Sequence, residues 1–320
     1  MKYSIISGTD LSASVICMGG GPLCVENNDK HVEALLDLYY ELGGNFIDSA
    51  NIYGKWLPSE TNLCDINIGK WMRSRNLRNK IIVTSKGGHP PLTDMYNPLL
   101  SKEDVEEHLD ESLTALGVDC IDLYYLHRDD PKVPVEYIID YLCEFVGKGK
   151  IRYFAVSNWA PVRIQAAQAY AEATGKQGFA ANQIMWSYAA ADMSKSPLPL
   201  LVNMDDESFR YHMESGMSAI LYESQAQGFF QKYANREKAP VAENLMSLYG
   251  SNANFQRYER LLSLSSQLNV NITEIVLGYV LNQPFSTYAI IGSSNKDHIR
   301  ESMTAANLCL SREQIEYLSG

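Results

Sequence analysis

The sequence predicts an α/β fold, a (β/α)8 TIM barrel with an N-terminal β-hairpin and an extra C-terminal helix. Three observations carry this prediction. Eight short apolar runs alternate with stretches of helical periodicity along 320 residues. The runs are continuously apolar, as in parallel strands covered on both faces. The Gly-x-Gly-x-x-Gly turn that usually opens the rival doubly wound sheet is missing: Gly19-Gly20-Gly21 lacks the third spaced glycine and the acidic residue that should follow. No linker, short repeat or low-complexity segment interrupts the pattern, so residues 1–320 read as one domain.

Tyr3–Gly8 and Ala13–Met18 read as two strands joined by a Gly-Thr-Asp turn, with Val15–Met18 the first barrel strand. Helical spacing of Val32, Leu35, Leu36, Tyr39 and Leu42 predicts a helix over 29–42, capped by Asp29 and stopped by Gly43-Gly44. The second strand ends at Asp48. Helix 66–75 then precedes strand 80–85. Helix 101–116, opened by Ser101-Lys102-Glu103-Asp104, precedes strand 121–126. Helix 135–146 precedes strand 151–156, helix 161–173 precedes strand 179–182, and helix 199–214 precedes strand 218–222. The stretch 225–252 is long, polar and broken by Pro240, and reads as a mobile loop over the site. Helices 253–268 and 273–281 precede strand 287–291; helices over 296–303 and 311–318 finish the chain.

Composition bounds the function. A formal charge of −11 argues against nucleic acid or an anionic membrane as the main partner. No apolar run reaches the ~20 residues of a membrane span, and the first ten residues lack the apolar core of a secretory signal. The six cysteines are scattered without a Cys-x-x-Cys pair, so the expectation is reduced thiols, no bound metal and a cytoplasmic setting.

In such a barrel the chemistry sits where strands end. Asp48 closes a buried strand and needs a partner, because an unpaired buried charge is costly. Lys86 and His127 stand at two later strand ends, and Tyr53 follows Asp48 by five residues. If these strands lie side by side, all four converge at one rim, in a geometry suited to proton transfer. Polar residues also stand at the other strand ends: Ser157 and Asn158, Asn182 and Gln183, Glu223 to Gln225, and Gly292 to Asn295. Together they suit a ligand-binding mouth.

Six stretches, in order and each at a predicted strand end, resemble the aldo-keto reductases over nearly the whole chain. They are Phe46-Ile47-Asp48-Ser49-Ala50-Asn51-Ile52-Tyr53-Gly54, Thr84-Ser85-Lys86, Asp122-Leu123-Tyr124-Tyr125-Leu126-His127, Ala155-Val156-Ser157-Asn158, Asn182-Gln183 and Ile290-Ile291-Gly292-Ser293-Ser294. The resemblance implies an oxidoreductase that moves a hydride between a nicotinamide and the carbonyl carbon of an aldehyde, ketone or sugar-like substrate. It implies Tyr53 as general acid or base, Lys86 tuning it, Asp48 holding Lys86 charged and His127 orienting the substrate oxygen. For the cofactor it implies contacts from Asp48, Ser157, Asn158 and Gln183, with Tyr222 stacked beneath the nicotinamide. Ser224 to Gly228 would pass the pyrophosphate, and Gly292, Ser293, Asn295, His298 and Glu301 would hold the adenosine end.

Three departures from the family pattern bear on this. Glu223 replaces a residue beside the pyrophosphate, where an acid would repel unless it turns away. His298 stands where an Arg is usual, and Gly292 where a Lys is common; the resemblance favours NADP(H), with NAD(H) the alternative. Gly20 and Gly21 replace a small-plus-aromatic pair, which would open space beside a substrate wall of Gly20, Trp56 and Trp186.

Bland readings stand beside these. Ser157 and Asn158 also suit a cap for the helix at 161, as do Ser293 and Asn295 for the helix at 296. The run His127-Arg128-Asp129-Asp130 reads as solvated charge apart from His127. Two other functions compete: a cofactor-binding sensor or regulatory protein of the same fold with little turnover, and an aldolase using Lys86 as a Schiff base, which Tyr53 and His127 disfavour. The expected partner is a small carbonyl compound, and the expected state a monomer or small homo-oligomer.

Overall fold

A computed structural model describes residues 1–320. An antiparallel hairpin of β1 (Tyr3–Ile5) and β2 (Ser12–Ser14) precedes eight parallel strands. These are β3 (Ile16–Gly19), β4 (Phe46–Asp48), β5 (Ile82–Gly87), β6 (Ile121–Leu126), β7 (Ile151–Ser157), β8 (Ala181–Met185), β9 (Ser218–Tyr222) and β10 (Thr287–Ile291). Each pairs with its successor, and β10 returns to β3 with Ile290 opposite Cys17, so the sheet closes as a barrel. The helices are α1 (Asp29–Glu41), α2 (Leu63–Arg75), α3 (Lys102–Leu116), α4 (Val135–Gly147), α5 (Pro161–Thr174) and α6 (Asp206–Ser215), then α7 (Phe229–Ala234), α8 (Glu243–Tyr249), α9 (Asn252–Leu268), α10 (Ile272–Leu281), α11 (Lys296–Thr304) and α12 (Arg312–Ser319). No helix is long and apolar enough to cross a membrane.

Local chemistry explains the helix starts. Side chains of Asn62, Ser101, Asp205, Ser251, Asn271 and Ser311 each accept a backbone N–H from the first turn that follows. Such caps satisfy donors that have no partner inside the helix. The hairpin plugs the lower end of the barrel: Ile6, Leu11 and Ala13 pack with Cys17, Phe46, Leu123, Tyr125, Ile220 and Tyr288 inside it. A larger apolar layer lies between the strands and the helices.

Three expectations are corrected. The run 13–18 is two strands rather than one: β2 ends at Ser14, and Val15 turns the chain toward β3, its N–H donating back to Lys2 O. Residues 199–205 are not helical; they bend at Leu200, whose φ is 57°, and bridge through Asn203 to Met185, and the Asp205 cap delays α6. The stretch 225–252 is not one long loop: it holds a short turn, α7 and α8, with residues 235–242, around Pro240, irregular. Phe229, Phe230, Leu245, Leu248 and Tyr249 bury themselves in a second apolar cluster with α9 and α10. Their intervening polar residues obscured that spacing.

Tyr39 ties α1 to the barrel. Its buried hydroxyl lies 2.8 Å from Ile16 O, 2.7 Å from Phe46 O and 3.0 Å from Ser14 Oγ, and accepts Phe46 N–H at 3.2 Å. The ring occupies the space over Gly44, where a Cβ would come within 2.1 Å of Tyr39 Cζ. Tyr39→Phe leaves buried backbone groups short of a partner and is expected to cost about 1–3 kcal/mol. Urea unfolding measures this; an unchanged midpoint would mean that the hydroxyl does not hold the first two barrel strands together.

Candidate active site

The ends of β4, β5 and β6 lie side by side, as their parallel register requires. Lys86 stands inside β5 and is fully buried. Its Nζ donates to Asp48 Oδ2 at 2.7 Å and to Ser49 O at 2.7 Å. Asp48 Oδ1 accepts from Gln183 Nε2 at 2.8 Å and lies 3.4 Å from Thr84 Oγ1. The same ammonium lies 4.9 Å from the centroid of the Tyr53 ring. Tyr53 packs edge-on against His127 at 5.8 Å and against Trp56 at 6.0 Å. Thus Asp48, Tyr53, Lys86 and His127 come together at one rim.

The electrostatics follow from burial. Burial pushes the Tyr53 phenol up; Lys86 pulls it down and Asp48 pushes it up again, leaving it above its ordinary value. Burial alone would lower Lys86, but Asp48 and Tyr53 outweigh it, so the ammonium is held charged. His127 is driven well below the ordinary imidazole range by burial, then by the positive charge of Arg128. It is a neutral ring, and its Nδ1 is buried without a partner.

Ser157, Asn158 and Gln183 lie buried beneath the mouth. Asn158 holds a left-handed conformation at φ 61°. Its Nδ2 donates to Ser157 Oγ at 3.0 Å and His127 O at 3.3 Å. Its Oδ1 accepts from the Tyr222 hydroxyl at 2.6 Å and from Val202 N at 3.1 Å. Gln183 commits its amide nitrogen to Asp48 and is almost wholly buried.

A cavity of about 1000 Å³ runs along the rim from Asp48 and Tyr53 to His298 and Glu301. Gly20, Trp56, Tyr222, Ser224, Gly228, Gly292 and Ser293 line it between those ends. Glu223, Ala226, Gln227 and Gly228 all have positive φ, a strained run for three non-glycine residues. Ser224 Oγ donates to Ile290 O at 2.6 Å, which fixes this strap against β10. Asn295 does not line the cavity; its side chain caps α11 through Asp297 N.

Two readings of the wall change. The space at Gly20 is not open: a Cβ there would meet Cys64 Sγ at 2.6 Å, Tyr53 Cδ2 at 2.9 Å and Asp48 O at 3.0 Å. Gly20 lets the Tyr53 ring sit close to the backbone. Trp186 faces away from the cavity, packed among Phe209, Tyr279 and Phe285, whereas Trp56 is 52% exposed at the mouth.

Sequence reasoning missed Arg128, His89 and Lys232. Arg128 is buried, not solvated. His89 packs edge-on against His127 at 4.7 Å, and Lys232 lines the cavity together with Gly228. The apolar strand before His127 signals burial at that end but does not say how far past it burial extends.

A closed parallel barrel with a buried Lys–Asp pair beside a tyrosine at its mouth, above a long rim cavity, defines a barrel oxidoreductase. Residues 15–320 match the model of the aldo/keto reductase family, and the chain belongs to that family. It is 27% identical over 307 residues to the "Probable aryl-alcohol dehydrogenase AAD4" of Saccharomyces cerevisiae, covering 91% of this chain and 87% of that one. It is 27% identical over 299 residues to the norsolorinic acid reductase of Aspergillus flavus, covering 88% and 69%. The thermostable aldo-keto reductase Tm1743 shares the fold with a TM-score of 0.74 at 20% identity, over 100% of this chain and 99% of that one.

Gly20→Ala forces the Tyr53 ring or Cys64 to move and is expected to destabilise by about 1–3 kcal/mol. Thermal unfolding and a crystal structure of the variant test this. An unshifted Tyr53 with unchanged stability would show that the close approach is not required.

Proposed function

We propose that this protein reduces aldehydes or ketones with NADP(H), and oxidises the corresponding alcohols in reverse, with Tyr53 exchanging the proton. The observation that carries the reading is the fully buried Lys86 ammonium, 2.7 Å from Asp48 and 4.9 Å from the Tyr53 ring. The cofactor, when bound, supplies or accepts a hydride at its nicotinamide ring.

The residues suit that group. The rim cavity is long enough for an extended dinucleotide, with Tyr222 at the Tyr53 end and His298 and Glu301 at the other. Tyr222 would carry the nicotinamide, and the Gln183 oxygen would accept from its carboxamide. Asn158 and Ser157 act mainly by holding Tyr222 and the His127 carbonyl in place. Backbone N–H groups of the strap from Ser224 to Gly228 would face the pyrophosphate. Burial raises the Glu223 carboxyl, against the lowering by Gln227 and Lys232, which weakens the repulsion its charge would cause. Ser293 and His298, with Lys232 nearby, would hold a 2′-phosphate; Lys296 and Arg300 do not line the cavity, and a preference for NAD(H) would show these groups insufficient.

In reduction, Tyr53 donates its proton to the carbonyl oxygen as the hydride arrives. Lys86 stabilises the phenolate left behind, and Asp48 keeps Lys86 in place and charged. Neutral His127 donates a hydrogen bond to the same oxygen and orients it. Positioned proton transfer of this kind is worth about 10²–10⁴-fold. The relatives named for aryl alcohols, and the exposed Trp56 at the mouth, favour an aromatic substrate.

Tyr53→Phe is expected to lower kcat at least ~100-fold while changing the NADPH Kd less than about threefold. Steady-state assays and quenching of tryptophan fluorescence read the two quantities; retained turnover would remove Tyr53 from the proton step. The pH dependence follows from the same groups. Tyr53, raised above its ordinary value, is the protonated acid through neutral pH, so reduction should not fall until alkaline pH. Oxidation needs the phenolate and should climb about tenfold per pH unit below the Tyr53 pKa. His127, lowered well below 6.5, should add no limb near that value. A limb near pH 6.5 that disappears in His127→Gln would contradict the neutral-ring assignment.

A further inference from the structure

The guanidinium of Arg128 has one partner, and that partner is its own chain neighbour. Arg128 is 5% exposed, at the end of β6. Its Nη1 donates to His127 O at 2.8 Å, and it makes no other hydrogen bond and no ion pair. A guanidinium carries five N–H donors. The donors it leaves unpaired are not fully enclosed, so they face open space, and a guanidinium this covered by protein favours a counter-charge there. The acids next to it do not supply one. Asp129 is turned onto Arg163, with contacts at 3.1 Å, and Arg163 also caps carbonyls of Asp130 and Val133. Asp129 thus pairs with the half-buried Arg163, distant in sequence, rather than with its buried neighbour Arg128.

The group sits within the proposed site. His127 O also accepts from Asn158 Nδ2 at 3.3 Å, so the guanidinium and the Asn158 amide share one acceptor. Asn158 in turn holds the Tyr222 hydroxyl at 2.6 Å. His127 itself packs edge-on against Tyr53 at 5.8 Å. Arg128 is therefore joined through His127 O and Asn158 to Tyr222, and through His127 to Tyr53. His89 and His127, both lowered by burial and then by the Arg128 charge, are its other titratable neighbours, and neither supplies a counter-charge. The strap Ser224 to Gly228, which follows β9, lines the rim cavity.

We propose that Arg128 is the specificity-determining residue of this site, pairing with a carboxylate on the substrate, so that the preferred substrates are acidic aldehydes or ketones and the matching hydroxy acids. This rests on the hydride-transfer reading above and names the substrate class for it. A fork-to-fork pair supplies the missing counter-charge through two parallel N–H···O bonds. It also fixes the carbonyl relative to Tyr53, because Arg128 adjoins His127 in the chain. A neutral substrate leaves the guanidinium buried and unpaired, which penalises it.

The test uses protein loaded with NADP⁺, which cannot reduce an aldehyde, titrated by calorimetry with 2-, 3- and 4-formylbenzoate and with their methyl esters. The expected result is that at least one formylbenzoate binds on the order of 100-fold tighter than its ester. Arg128→Met should erase that preference without a matching change in NADP⁺ affinity, and Arg128→Lys should retain only part of it, since charge is kept but the fork is lost. Equal affinity for acid and ester in the natural protein would overturn the proposal. So would a preference that survives in Arg128→Met, or a loss that falls on NADP⁺ instead. If Arg128→Met does not fold, the natural protein and Arg128→Lys decide the matter. Selective binding of the acid with no reduction of it by NADPH-loaded protein would count against hydride transfer alone.

Discussion

The buried contact between Lys86 and Asp48 is the constraint on which the rest of the mouth depends. Two opposite charges out of water are tolerated only when geometry is good and the remaining hydrogen-bonding capacity is filled. Here it is filled from three strands. Lys86 on β5 takes the carboxylate at the end of β4 and the carbonyl of Ser49; Asp48 takes the amide of Gln183 on β8. The pair therefore crosses the inside of the barrel and fixes the relative heights of strand ends that are far apart in sequence. Tyr53 is then held against the ammonium from above by Trp56 and His127 and from below by the bare backbone of Gly20.

The buried cations of the rim have consequences for their neighbours. Lys86 and Arg128 share one desolvated region with two imidazoles, and neither imidazole can afford a further positive charge. His89 is brought down to about 4, first by burial and then by Arg128, and His127 is lowered by the same two causes. The site is thus built from two buried cations, a phenol raised above its ordinary value and two lowered imidazoles; in the proposed reaction this would divide proton donation from substrate orientation. Lowering Tyr53 by Lys86 and raising it by burial oppose one another, and burial is the larger. The phenol is kept as an acid rather than as a standing phenolate, which suits reduction at neutral pH.

Much of this was legible in the sequence because strand ends in a parallel barrel have a plain signature. An apolar run of β-branched and aromatic residues terminates in a polar one, as at Asp48, Lys86 and His127, and closure of the barrel brings those ends to one rim. Caps such as Ser101 and Asn271 are equally local and equally readable. What was not legible is set by contacts between distant segments. Nothing near Arg128 says that Asp129 will choose Arg163, and nothing near Gly20 says that Tyr53 will fill its missing side chain. The aromatic residues of α7 and α8 form a buried face only once α9 and α10 are in place. Trp186 illustrates the converse: a tryptophan one residue past a strand can point outward to the helices as readily as into the mouth.

The claim that a buried ammonium governs the Tyr53 proton is tested most directly by single-turnover hydride transfer in Lys86→Met, followed by stopped-flow absorbance of NADPH with a saturating aromatic aldehyde. The account predicts a fall of about 10²–10⁴-fold in that step, with a deuterium effect from 4-deuterated NADPH still present and NADPH still bound. Hydride transfer at the natural rate in a folded Lys86→Met variant would contradict it.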